Sequence, residues 1–175
     1  MVTTVLSQSG QEVLLKVVDL PFMNFAACLF SIPQAINNKV KSTATHFFWR
    51  GKARHNKIHW LSWNCISQSK DKGSIGLRDP TLHNKALLSK VAWRLFVVPD
   101  VPDSVWDVLM KSIYFSKVDF LEAKVGSNPS WAWRSIIQGR EVLKASLIWR
   151  ISDGSKMNIW KDNYVPTLLG FKIGM

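Results

Sequence analysis

Apolar residues recur at intervals of three and four along most of the chain, a spacing that predicts helices. Ser7 stands as a capping residue before "QSGQEVLLKVV", so a first helix is expected to about Val18, with Val13, Leu14 and Val17 on one face. A second is expected from Pro21 to about Phe30. Pro33 takes the first position of a third, "PQAINNKVKSTATHFFW", which Gly51 ends. Its apolar stripe is Ile36, Val40, Ala44 and Phe47 or Phe48, with Lys39 and Lys41 beside the stripe and nearer solvent. "GKARHNKIH" has no apolar period and reads as a loop. "SWNCISQ" is a short helix capped by Ser62, and "KDKGSIGLRD" a turn followed by an extended piece.

The start of the next helix is specified twice, by Asp79 as cap and Pro80 at the first helical position. Leu82, Ala86, Leu88, Val91, Ala92, Leu95 and Phe96 form its wide apolar face. His83, Lys90 and Arg94 form a cationic strip, which an ordinary solvated helix face explains. Pro99 and Pro102 break the chain, and Asp103 or Ser104 caps "SVWDVLMKSIYF". "SWAWRSIIQGREVL" reads as two helices interrupted at Gly139. Around Asp153-Gly154, "LIWRISDGSKMNIW" alternates apolar and polar residues, the pattern of a β-hairpin over 147–160. The expected fold is mainly α: an irregular helical bundle with a small C-terminal β-hairpin, divided into residues 1–98, with a basic loop at 50–58, and residues 99–175.

Composition fits a globular chain: 175 residues, 47% apolar and 20% charged. Charge changes the picture more, because the net value is +11 and its distribution is uneven. From Leu20 to Lys70 there is no acidic residue, while Lys39, Lys41, Arg50, Lys52, Arg54, Lys57 and Lys70 fall inside that window. A field of one sign attracts polyanions, nucleic acid before an anionic membrane. The candidate nucleic-acid contacts are therefore Arg50, Lys52, Arg54 and Lys57, aided by Lys39 and Lys41. The longest apolar run, "DLPFMNFAACLFSIP", is too short to span a bilayer, and no signal-peptide layout opens the chain, so a membrane or secreted setting is not expected.

Nine tryptophans are a high count. Core packing is the expectation for Trp49, Trp93, Trp106 and Trp149, while Trp49 beside Arg50 and Trp60 near Lys57 also fit base-stacking positions. Catalytic signatures are missing. No Asp-Asp or Asp-x-Asp pair is present for two-metal chemistry, and no glycine-rich phosphate loop or nucleophile motif occurs. His46, His55, His59 and His83 with Cys65 match no zinc spacing, so neither metal nor cofactor is expected. Cys28 and Cys65 are expected to be buried free thiols of a reducing compartment.

Several motifs occur in one distinctive order. Gly73-Ser74-Ile75-Gly76-Leu77-Arg78-Asp79-Pro80 precedes Asn84, Ala86, Leu87, Leu88, Lys90, Trp93 and Arg94. Trp149, Arg150, Ser152, Asp153 and Gly154 then precede Trp160, Asp162, Tyr164 and Pro166. The series, covering nearly the whole chain, resembles the region downstream of the catalytic core in plant non-LTR (LINE-type) retrotransposon reverse transcriptases. Ser74 and Ser152 depart from it, standing where the family pattern has glycine. The resemblance implies a non-catalytic, thumb-like connecting region, with the polymerase palm expected upstream and a zinc-binding segment downstream. It implies RNA or DNA backbone as a non-specific partner, the remainder of the polyprotein as another, and a nuclear or cytoplasmic setting. A product without activity and with an incomplete fold is the alternative.

Overall fold

A computed structural model describes residues 6–19, 21, 23–50, 59–97 and 104–148, with the backbone alone at 18, 19 and 50. The helices run α1 Gln8–Leu14, α2 Asn24–Leu29, α3 Gln34–Arg50, α4 Trp63–Ile66, α5 Pro80–Phe96, α6 Val105–Tyr114 and α7 Trp131–Ser146. A π-helical turn, Leu15–Asp19, follows α1, and a 3₁₀ turn, Lys70–Lys72, precedes α5. Local chemistry sets most starts. The hydroxyls of Ser7, Ser104 and Ser130 accept from the backbone N–H of Gly10, Trp106 and Trp133. Such a cap satisfies a donor that the helix leaves orphaned, and is worth about 1 kcal/mol.

Long helices α5 and α7 pack against each other. Gly139 lies inside α7, which is one continuous helix, so the predicted interruption does not occur. The reason for glycine is a neighbour: a Cβ there would lie 2.5 Å from the carbonyl oxygen of Leu88 and 2.8 Å from the nitrogen of Ser89 on α5. Ser89 Oγ then donates to the Gly139 carbonyl at 3.2 Å. The α5–α7 packing joins residues on either side of position 98.

Two apolar clusters fill the interior. The first gathers Ala92 and Leu95 of α5, Met110 of α6, Phe115, Phe120, and Trp133, Ile136 and Leu143 of α7. Trp133 is fully buried, and Tyr114 stacks on it at 4.4 Å and 6°. The second joins Leu15, Ala44, Phe48, Trp63, Ile66 and Leu77. Each large side chain so buried contributes about 1.5–3 kcal/mol.

The link after α2, extended at Phe30, is held by side chains. Asn84 is buried at 4% exposure; its amide donates to the carbonyls of Ala27 (2.7 Å) and Phe30 (2.9 Å) and accepts from Ile32 N–H (2.9 Å). Ser135 Oγ accepts from Ser31 N–H at 2.8 Å, and Phe30 stacks on Trp131. A buried asparagine in the second turn of α5 thus closes the backbone valences of a segment more than fifty residues earlier.

The structure corrects several expectations. The chain is mainly helical, but the β-hairpin is not supported: no strand occurs among the described residues. Leu147, where the hairpin was to begin, spends its N–H on Leu143 O and closes α7 instead. Residues 149–160 of the predicted hairpin lie outside the described residues. The face of α1 is reversed, because Val13 and Val17 are exposed while Gln11 and Leu15 are buried. On α3, Ile36 is exposed and Asn37 takes the inner position with Ala44 and Phe48. Leu82 and Ala86 of the predicted α5 face are exposed, as is Trp93 at 48%. Trp106 is half-buried, and Trp149 lies outside the described residues. Among the described residues no helix is long and apolar enough to cross a membrane.

Candidate nucleic-acid interface

The sequence between α4 and α5 positions the site. Gly73 and Gly76 adopt positive φ values of 75° and 71°, a region that costs glycine nothing and other residues about 1 kcal/mol or more. Those two turns carry the chain from the 3₁₀ turn to the Asp79 cap. On the way, Ile75 O accepts from Lys16 Nζ at 2.7 Å, and Ser74 Oγ donates to Cys65 O. Arg78 is left exposed just before α5.

Asp79 is the junction of three helices. Its Oδ1 accepts from Thr81 N–H (2.9 Å) and Leu82 N–H (3.2 Å), capping α5. Its Oδ2 accepts from the Trp63 indole of α4 (3.1 Å) and pairs with Lys41 Nζ of α3 (2.6 Å). Burial pushes its carboxyl up, but the Lys41 ammonium, the Leu82 amide and the Trp63 indole together hold it below the ordinary carboxylate range.

The predicted contact residues fare differently. Lys39 lies exposed on α3 with no ion pair among the described residues. Lys41 is not free, since Asp79 neutralises it. Arg50 is the last residue of α3, its side chain undescribed; Lys52, Arg54 and Lys57 lie outside the described residues. The two flanks of that stretch are described: the rings of His46 and His59 meet at 6.0 Å in an edge-on contact. Trp60 follows, 76% exposed, whereas Trp49 is half-buried and edge-on to Phe48. Among aromatics near the basic stretch, Trp60 has the exposed face that stacking on a base requires.

A cleft of about 300 Å³ opens at the start of α5, lined by Lys16, Asn24, Asn37, Arg78, His83 and Asn84 among others. Sequence reading missed it, because its walls come from four separate segments. His83 Nε2 lies 2.9 Å from Asn24 Oδ1, so the cationic strip proposed on α5 contains a histidine engaged in an inter-helix contact. Burial, then the Arg78 charge, pushes the His83 imidazole below its ordinary range. Arg94 of the same strip donates to Asp107 Oδ2 at 2.8 Å and lies over the Trp106 ring.

Metal chemistry finds no set of donors: no group of three or more His, Cys, Asp or Glu could hold an ion among the described residues. Both cysteines are free, but neither is buried; Cys28 is half-buried and Cys65 exposed.

Comparison with known proteins gives two plant relatives. The chain is 35% identical over 142 residues to the uncharacterized mitochondrial protein AtMg00310 of Arabidopsis thaliana, covering 81% of this chain and 90% of that protein. It is 31% identical over 166 residues to the "Putative ribonuclease H protein At1g65750" of the same plant, covering 91% of this chain but only 26% of that protein. No family model matches the chain, and no solved structure matches it.

Proposed function

The chain belongs to the plant protein family of the uncharacterized mitochondrial protein AtMg00310, and on that premise we propose that it is a non-catalytic, transposon-derived module that holds nucleic-acid backbone without reading sequence. Its origin, in this reading, is the connecting region of a non-LTR retrotransposon reverse transcriptase. Alignment along a quarter of a longer protein named for ribonuclease H supports an origin in a multidomain nucleic-acid enzyme. Neither that activity nor the mitochondrial setting named for the other relative is carried over.

The observation that carries the reading is the window from Leu20 to Lys70, which holds seven cations and no acid. Phosphate neutralisation releases counterions, so such a surface gives affinity that falls with salt and is indifferent to sequence. The test is anisotropy with a labelled RNA–DNA hybrid and with single-stranded RNA across a salt series. Charge reversal at Arg50, Lys52, Arg54 and Lys57 should weaken binding and flatten the salt slope. Unchanged binding would remove those residues from the interface.

A second reading is a product with no activity and an incomplete fold. The exposed stripe Val105, Val108, Leu109 and Ile113 on α6 favours it, since apolar faces of this size ordinarily have a cover. A cooperative thermal melt of the isolated chain separates the two.

A further inference from the structure

The cleft between α2, α3 and the start of α5 contains two polar groups that the fold leaves uncommitted. Most of its lining is already satisfied. Asn84 makes three hydrogen bonds to backbone, His83 engages Asn24, and Lys16 is held by Glu12 and Ile75 O. Asn37 is different. It is 2% exposed, its amide nitrogen donates to Ile32 O at 3.3 Å, and its Oδ1 is buried with no partner. A buried acceptor without a donor costs about 1–3 kcal/mol, a deficit that a ligand N–H or O–H would remove. Arg78, the other uncommitted group, is exposed at the cleft and makes no hydrogen bond or ion pair among the described residues. Burial first, and the Arg78 charge second, pushes the neighbouring His83 imidazole below its ordinary range.

We propose that this cleft binds one phosphorylated nucleoside, its phosphate against Arg78 and a hydroxyl or amino group donating to Asn37 Oδ1. The ligand must present both an anion and a hydrogen-bond donor, because the two free groups are a guanidinium and a carbonyl oxygen. A volume of about 300 Å³ is at the small end of ligand sites, which favours one nucleotide over a dinucleotide. The choice of a nucleotide among phosphate esters rests on the proposed nucleic-acid surface. The same chemistry is offered by a free nucleoside monophosphate and by the phosphorylated end of a strand.

Three probes test this on the full chain: adenosine monophosphate, a short single strand with a terminal phosphate, and the same strand with a terminal hydroxyl. The His83 ring resonances report occupancy, and anisotropy reports affinity. The terminal phosphate should raise affinity about tenfold, as one charge-assisted contact would. Arg78→Met should abolish that preference and the His83 shifts while leaving the exposed site folded; Asn37→Leu, which removes the acceptor, should weaken both. Reversal of Arg50, Lys52, Arg54 and Lys57 should lower affinity for both strands yet keep the preference, so failure of the backbone surface and failure of the cleft are told apart. His83 shifts with the free nucleotide alone would assign the cleft to a soluble ligand, and shifts with the phosphorylated strand alone would assign it to a strand end. Absence of shifts with either at millimolar concentration, or shifts that survive Arg78→Met, would overturn the proposal.

Discussion

Arg140 on α7 and Lys39 on α3 are put to opposite uses. Arg140 is 8% exposed, and its guanidinium donates to the carbonyls of Phe120 and Ala123 and to Glu141. Arg94, whose charge is matched by Asp107, lies on Trp106. These two arginines close loops and join helices. Along α3 positive charge faces solvent at Lys39, while Lys41 is drawn inward, to Asp79. The difference teaches that a formal charge of +11 overstates the free field. Which cations can meet phosphate is decided by the acids that tertiary packing brings to them, not by the acids near them in sequence.

Several substitutions would break or sharpen the contrast. The largest effect is expected from Gly139→Leu, which forces α5 and α7 apart. Overpacking against backbone should remove about 3 kcal/mol or more, read as a large fall in Tm. Asn84→Ala should cost about 2–4 kcal/mol, because it strands Ile32 N–H and two carbonyls in the interior. A denaturant midpoint within error of the parent would contradict the role given to that side chain. Asp79→Ala should cost about 2 kcal/mol by loss of the cap and the Lys41 pair, and should free Lys41 to join the outward set. Stronger nucleic-acid binding by that destabilised variant would therefore sharpen the comparison.

The Asp79 contribution has a defined pH sense. Its folded carboxyl titrates below its unfolded value, so the stabilisation is fully present above the ordinary carboxylate range and is lost as pH falls through the folded value. Melts of the parent and of Asp79→Asn should converge in acid. The smallest structural effect is expected from Trp60→Ala, within about 0.5 kcal/mol for an exposed side chain, with a measurable loss of single-strand affinity.

Features with local causes were legible in the sequence. Ser7, Asp79 with Pro80, Ser104 and the αL glycines act on backbone within a few residues, and each does what its residue type implies. Features with distant causes were not. Gly139 reads as a helix breaker until the Leu88 backbone is placed against it. The buried role of Asn84 depends on partners at 27, 30 and 32, far from it in sequence. The face of α1 is not readable from its apolar residues alone, because Val13, Leu14 and Val17 are exposed and Leu15 is buried. The π-helical turn that starts at Leu15 also shifts the angular phase on which a helical face depends. Of the candidate contacts, the acid-free window was visible at once, whereas the neutralisation of Lys41 and the cleft at Arg78 depend on segments far apart in the chain.

In the proposed function, the cations of the acid-free window hold nucleic-acid backbone. The most direct test is the salt dependence of single-stranded RNA binding by the folded chain, compared with a variant reversed at Arg50, Lys52, Arg54 and Lys57. A steep fall in affinity with salt is expected for the parent and a shallower one for the variant. Equal slopes, or no binding at low salt from a sample with a cooperative melt, would contradict it.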